Sequence, residues 1–146
     1  MSDETRISAI RPELVGAIWP AVVEILEPSV DTAKGKFDIE NVRDDILSGA
    51  LVLWMVWQDK KPVAFYTTRI VEYPQRRAMA MDWVGGKNIR SWMHQALDEM
   101  EAHARKNGCQ HLEGFGRMAW GRLLKQRGWE PEYVAYRMEL GDGQGW

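Results

Sequence analysis

Cysteine, histidine, long apolar runs and net charge are all scarce in this 146-residue chain, and each shortage removes a class of function. The single cysteine, Cys109, excludes an intrachain disulfide and suits a reducing compartment; at the expected start of a strand it reads as a small buried hydrophobe rather than a nucleophile. The three histidines, His94, His103 and His111, do not fall at zinc-motif spacings, so no metal is expected. No stretch approaches the ~18 apolar residues of a membrane span. The acidic start Met1-Ser2-Asp3-Glu4 lacks the basic opening of a signal peptide. The expectation is a cytoplasmic chain with no membrane partner. A formal charge of −2 argues against a nucleic-acid partner, which would normally leave a strongly basic stripe.

What the chain does contain is apolar and aromatic mass. Hydrophobic residues make up 45% and there are eight tryptophans, so aromatic side chains should dominate the core. The length predicts a single domain, residues 1–146, with a core over about 6–140 and a frayed tail at 141–146. Charge is unevenly spread: residues 1–73 carry 8 Lys and Arg against 12 Asp and Glu, whereas residues 74–146 carry 11 against 9. The second half is the one an anionic ligand would prefer.

Periodicity predicts the order of elements. A short strand spans Arg6 to Ile10, and Pro12 is suited to open a helix bearing Leu14, Val15, Ile18, Val22, Ile25 and Leu26. Pro20 lies inside that pattern and predicts a kink, or a split into two helices near Trp19, before a polar loop from Glu27 to Lys36. Asp38 should cap a short helix that stops at Gly49. Ala50 to Trp57, Pro62 to Val71 and Ala78 to Val84 read as an antiparallel meander, the first of them apolar on both faces. The stripe Ile89, Trp92, Met93, Ala96, Leu97, Met100 and Ala104 marks a long helix to Lys106 that ends at Asn107-Gly108. A strand from His111 to Phe115 should then lie parallel to Ala78–Val84, because a helix crossover precedes it. A helix from Arg117 to Arg127 and a last strand from Tyr133 to Leu140 complete the set.

The junction Met79 to Arg90 carries the chemistry. A strand runs into Gly85-Gly86-Lys87 immediately before a long amphipathic helix. The first turn of that helix has backbone N–H groups without partners and the positive end of the helix dipole, a place suited to a phosphate. A tight strand-to-helix turn with no ligand would use the same glycine pair.

The order β-α-α-β-β-β-α-β-α-β with such a loop resembles the GNAT superfamily of N-acetyltransferases over roughly residues 6–140. Ile10-Arg11-Pro12 is similar to the common start of that family, and Leu123-Leu124-Lys125-Gln126-Arg127-Gly128-Trp129 to its late helix ending in Gly-Phe. The general texture is also similar to GNAT-like proteins encoded by bacteriophages. The resemblance implies an α/β layered fold with a mixed, mostly antiparallel central sheet and helices on both faces. It implies acetyl coenzyme A, used as cosubstrate, in an opening between Ala78–Val84 and His111–Phe115. Trp83, Val84, Gly85, Gly86, Lys87, Asn88, Ile89 and Arg90 would line the cofactor site, and a backbone amide at the end of the first strand would polarise the acetyl carbonyl. The implied partner is an amine acceptor, small molecule or protein, attacked directly in a ternary complex; the resemblance leaves room for a homodimer. The chain departs from the family pattern at Asn88 and Arg90, where small residues are usual, and at Leu124, where a tyrosine often protonates the leaving thiolate.

Asp82 and Glu113, on the two strands that would flank the opening, are the candidate catalytic carboxylates, each placed to act as a base or to accept a hydrogen bond from the amine. A non-catalytic protein of the same fold with a structural or interaction role is the alternative reading, motivated by the altered loop and Leu124.

Overall fold

The computed structural model describes residues 4–114 and 121–141. The chain divides into two compact units, residues 1–115 and 116–146.

The first unit is built on a five-stranded sheet in the order β1-β2-β3-β4-β5. Its elements are β1 (Thr5–Ile10), a single 3-10 turn at Pro12–Leu14, α1 (Val15–Asp31), α2 (Ile39–Ser48), β2 (Val52–Gln58), β3 (Lys61–Glu72), β4 (Arg77–Gly86), α3 (Ile89–Lys106) and β5 (His111–Gly114). Strands β1 to β4 pair antiparallel, and β5 joins β4 in parallel after the α3 crossover. Asp59 and Lys60 both adopt positive φ in the two-residue β2–β3 turn, the conformation whose twist matches a tight hairpin.

Alternation along β2 and β3 divides the core between the two faces. Leu53, Met55 and Phe65 pack with Val15, Trp19, Val22, Leu26 and Val30 of α1 and with Ile39, Val42 and Ile46 of α2. On the other face Tyr66 is stacked between Trp54 (5.9 Å between centroids) and Trp92 of α3 (6.3 Å). Among the described residues no helix is long and apolar enough to cross a membrane.

Caps behave as local chemistry dictates. The Asp38 carboxylate accepts from the Asn41 N–H and the Asn41 side chain accepts from the Asp38 N–H, both at 2.9 Å, while Gly49 closes α2 at φ 87°. Two expectations fail. The helix α1 is not split at Trp19; it runs through Pro20 and Pro28 to Asp31, so half of the expected loop is helical. Both prolines are on the exposed side, where water can take the carbonyls that lose their partners. The five buried residues Val15, Trp19, Val22, Leu26 and Val30, each contributing about 1.5–3 kcal/mol, outweigh the ~3 kcal/mol that an interior proline costs.

The second unit contains α4 (Gly121–Gln126), closed by Gly128 at φ 87° and by the Trp129 N–H donating to the Leu124 carbonyl at 2.9 Å. The part of the expected helix before Gly121, and Phe115 of the expected strand, lie outside the described residues. The expected strand Tyr133–Leu140 is absent: residues 129–141 have no regular secondary structure, and Tyr133, Val134, Tyr136, Met138 and Leu140 are all exposed. Alternating apolar residues do not make a strand without a ladder to receive their backbone groups, and among the described residues this segment has none.

The Tyr66 hydroxyl is fully buried and finds no partner among the described residues, and burial, reinforced by the charge of Glu99, pushes its ionisation well above the ordinary value near 10. Tyr66→Phe should therefore raise stability at neutral pH by about 1–2 kcal/mol, since the aromatic packing stays and the unsatisfied group goes. A tyrosine held neutral in the folded state stabilises fully below its unfolded pKa and progressively less above it, so the variant should also lose less stability than the unmodified protein above pH 10. Denaturant melts at pH 7 and pH 10.5 test both; a destabilised variant at pH 7 would mean that the hydroxyl is satisfied.

Candidate functional site

The site begins with a register shift. Tyr66 pairs with Val84 and Thr68 with Met81, so two residues of β4, Asp82 and Trp83, stand opposite the single Thr67. This is a β-bulge. Before it, Ala80 pairs with Arg69 on the α1/α2 face, and Asp82 shares that face two residues on; beyond it, Gly85 pairs with Phe65 on the same face, and so does Trp83 two residues back. The extra residue thus turns two consecutive side chains the same way. Trp83 packs against the α1/α2 core and meets Phe37 edge-on at 5.4 Å. Its N–H donates to Thr67 Oγ1 at 3.3 Å, and the next amide, Val84 N–H, donates to Ser29 Oγ of α1 at 3.3 Å.

On its other side β4 pairs with β5. The parallel ladder pairs Ala78 with His111, Met79 with Leu112, Ala80 with Glu113 and Met81 with Gly114. From Asp82 to Gly86, β4 has no strand on that side among the described residues.

The glycine pair is not in the loop. Gly85 and Gly86 are the last residues of β4, leaving only Lys87 and Asn88 before α3. A side chain on Gly85 would run into the Ile25 carbonyl of α1, and one on Gly86, at φ 139°, into the backbone of Val63 and Ala64. Close packing explains both glycines, and the Lys87 N–H is taken by the Val63 carbonyl at 3.0 Å. What remains for a ligand is the start of α3, which has no side-chain cap and no acidic residue in its first turn. An open groove of about 630 Å³ lies there, lined by Thr5, Gln58, Gly86, Asn88, Ile89, Arg90 and Ser91. Arg90 sits exposed at the positive end of the helix and forms no ion pair among the described residues. A cation there is unfavourable without an anion beside it. Gln58, nearly buried, braces the groove by donating to Thr5 Oγ1 at 3.1 Å and to Ser91 Oγ at 2.7 Å.

Two polar groups occupy the α1/α2 face beside the bulge. Arg69 clasps Asp82 through Nε and, at 3.4 Å, through Nη2; this hydrogen bond holds the guanidinium above its ordinary pKa against the opposing pull of burial, with the Asp82 and Glu113 charges adding to it. Glu113 accepts from the Tyr73 hydroxyl at 2.7 and 2.9 Å and lies 2.9 Å from His111 Nε2, while the His111 ring stacks on Tyr73 at 6.1 Å. Cys109 is half-buried rather than buried, and burial pushes its thiol up, away from the thiolate.

The structure therefore brings Asp82, Trp83 and Val84 together at the bulge, pairs Glu113 with Ala80 on the parallel ladder, and gathers Asn88, Ile89 and Arg90 at the groove. Ser29, Gln58, Arg69 and His111 were not expected there. Ser29 and Arg69 carry no local signal, whereas a glutamine closing the apolar run Leu51–Trp57 marks a strand end that needs a polar partner.

No protein-family model matches the sequence, and no curated protein matches it. Solved structures do share its fold. A transcriptional regulator from Bacillus halodurans superposes with a TM-score of 0.71 at 11% identity, covering 94% of this chain and 100% of that one. A predicted acetyltransferase with acetyl-CoA from Clostridium acetobutylicum gives 0.69 at 9% identity over 93% and 96% of the two chains. A GCN5-related N-acetyltransferase from Ralstonia eutropha gives 0.67 at 13% identity over 93% and 99%. The mixed, mostly antiparallel sheet with its helices is the fold of GNAT acetyltransferases.

If the glycine pair serves packing, Gly85→Ala should lower stability by about 1–3 kcal/mol with no ligand present, because α1 must move to admit the methyl group. Thermal melting of the free protein checks this. An unchanged melting temperature would return Gly85 to the role of a ligand-approach residue.

Proposed function

We propose that this protein is an acetyl-CoA-dependent N-acetyltransferase that passes the acetyl group directly to a primary amine. The observation that carries the proposal is the coincidence, within one stretch of chain, of the bulge at Asp82–Trp83 and the uncapped, cationic start of α3. A ligand with a thioester at one end and phosphates at the other matches those features in order.

In this reading the free amides of the first turn of α3, with Lys87 and Arg90, hold the pyrophosphate of the coenzyme. The Val84 N–H donates to the acetyl oxygen once Ser29 gives it up, a hydrogen bond that strengthens as charge develops on that oxygen. Trp83 walls the acetyl group. Asp82, at the bulge, and Glu113, opposite Ala80 on the next strand, are the carboxylates that this reading offers to deprotonate the incoming amine. Leu124 has no proton to give the thiolate, so water or the amine itself supplies it. A cytoplasmic enzyme acting on an amine of a small molecule or a protein is the corresponding biological setting.

A second reading, a non-catalytic GNAT-fold protein, draws on two observations. Ser29 occupies the Val84 amide and Val63 occupies the Lys87 amide. The likeness to a protein described as a transcriptional regulator is in keeping with it.

Saturating acetyl-CoA should raise the melting temperature by binding linkage. Arg90→Glu should weaken coenzyme binding by about 1.5–3 kcal/mol, the worth of a hydrogen bond to a charged group, and the loss should shrink at high salt. Calorimetric titration of both forms at two ionic strengths checks it. Absence of binding at millimolar coenzyme would favour the second reading.

A further inference from the structure

We infer that the groove beside α3 seats the adenosine 3′-phosphate end of the coenzyme, and that Lys61, helped by Lys60, recognises that 3′-phosphate from the β2–β3 hairpin. The inference rests on the acetyl-transfer reading and names the part of the ligand that the hairpin selects.

The placement of Lys61 follows from a second irregularity in the sheet. Val56 pairs with Ala64 but Trp57 pairs with Pro62, so Val63 is an extra residue of β3. It reverses the alternation. Phe65 belongs to the α1/α2 core, and an unbroken β3 would send Lys61, four residues earlier, to that same face. With Val63 inserted, Pro62 stands opposite Trp57, which packs against the α1/α2 core, and Lys61 stands opposite Gln58. The Gln58 side chain donates to Ser91 Oγ of α3, and directly opposed residues share a face. Lys61 is therefore on the α3 side, next to a residue that lines the groove. The same extra residue supplies the carbonyl that takes the Lys87 N–H at 3.0 Å, tying the hairpin to the link before α3.

Size and charge agree with this placement. The groove, about 630 Å³, falls within the ~300–1,000 Å³ of small-molecule sites. Lys60 and Lys61 of the hairpin, Lys87 of the link and Arg90 of α3 stand around it, all exposed. Among the described residues none of these cations forms an ion pair. The acidic residues beside the lining segments are Glu4, which is paired with Arg6, and Asp59 in the turn; α3 has none before Asp98. A rim of this kind concentrates a polyanion.

The pyrophosphate engages Lys87 and Arg90 on the α3 wall. Lys61 lies on the opposite wall with Gln58, so it calls for a further anionic group on the same ligand. Coenzyme A carries one, the 3′-phosphate, set apart from the pyrophosphate by the ribose. Between the two sets of cations the hydroxyls of Thr5 and Ser91 and the carboxamides of Gln58 and Asn88 suit a neutral sugar and base.

Calorimetric titration of the intact chain with acetyl-CoA and with acetyl-3′-dephospho-CoA, which differ by that phosphate alone, tests the inference. The unmodified protein should bind acetyl-CoA about tenfold more tightly. The ratio should shrink as salt rises, because both lysines are exposed. Lys61→Gln should lower the ratio about threefold, and the double variant Lys60→Asn, Lys61→Gln should bring it to about one, with affinity for the dephospho form unchanged. Asparagine tolerates the φ of 63° at position 60, and the melting temperature checks that the hairpin is intact. Lys106→Gln, at the far end of α3, should keep the ratio. The inference is overturned if the unmodified protein binds both ligands equally, if the Lys61 variants keep the ratio, or if Lys106→Gln lowers it as much. It is also overturned if the double variant loses affinity for both ligands alike. Failure of the unmodified protein to bind either ligand would instead defeat the acetyl-transfer reading beneath it.

Discussion

The extra residue of β4 opposite Thr67 is the constraint on which the rest of the site depends. A strand that kept its register would send Asp82 and Trp83 to opposite faces, one into the α3 core and the other toward α1 and α2. The bulge sends both to the α1/α2 face, where Trp83 closes the core edge against Phe37 and Asp82 meets Arg69. Just beyond it the Val84 N–H donates to Ser29 Oγ of α1. The core pattern and the ion pair both follow from one inserted residue.

The end of β4 is shaped by close packing. Gly85 and Gly86 lack side chains because α1 and β3 come too close, and that proximity brings α3 into the sheet after only two linking residues. Its first turn is then held against the β1–β2 end of the sheet by Gln58, with no acidic group to offset the dipole. An uncapped, cationic helix start is a local cost that a bound anion removes. An anion bound beside Arg90 would therefore stabilise the fold.

Where the chemistry is local, the chain was legible as a sequence. The Asp38 cap, the Gly49 stop, the stripe from Ile89 to Ala104 and the parallel placement of His111 need only neighbouring residues or one topological rule, and the structure has each of them. The whole fold class followed from their order. Pro20 and Pro28 misled because the gain from burying the Val15 to Val30 stripe depends on a sheet elsewhere in the chain. Tyr133 to Leu140 misled in the other direction, an alternating pattern with no ladder. The partners of the two candidate carboxylates were invisible for a related reason. Arg69 reaches Asp82 across a bulge that no residue announces, and Tyr73 reaches Glu113 from 40 positions away.

The central claim is that acetyl-CoA lies along β4 from the bulge to the start of α3. Backbone amide resonances followed by nuclear magnetic resonance during titration with acetyl-CoA test it most directly. The account predicts that Val84, Ile89 and Arg90 move together and saturate at one coenzyme concentration, while amides in α2 stay in place. Saturable shifts confined to other regions, with Val84 and Arg90 unmoved, would contradict it.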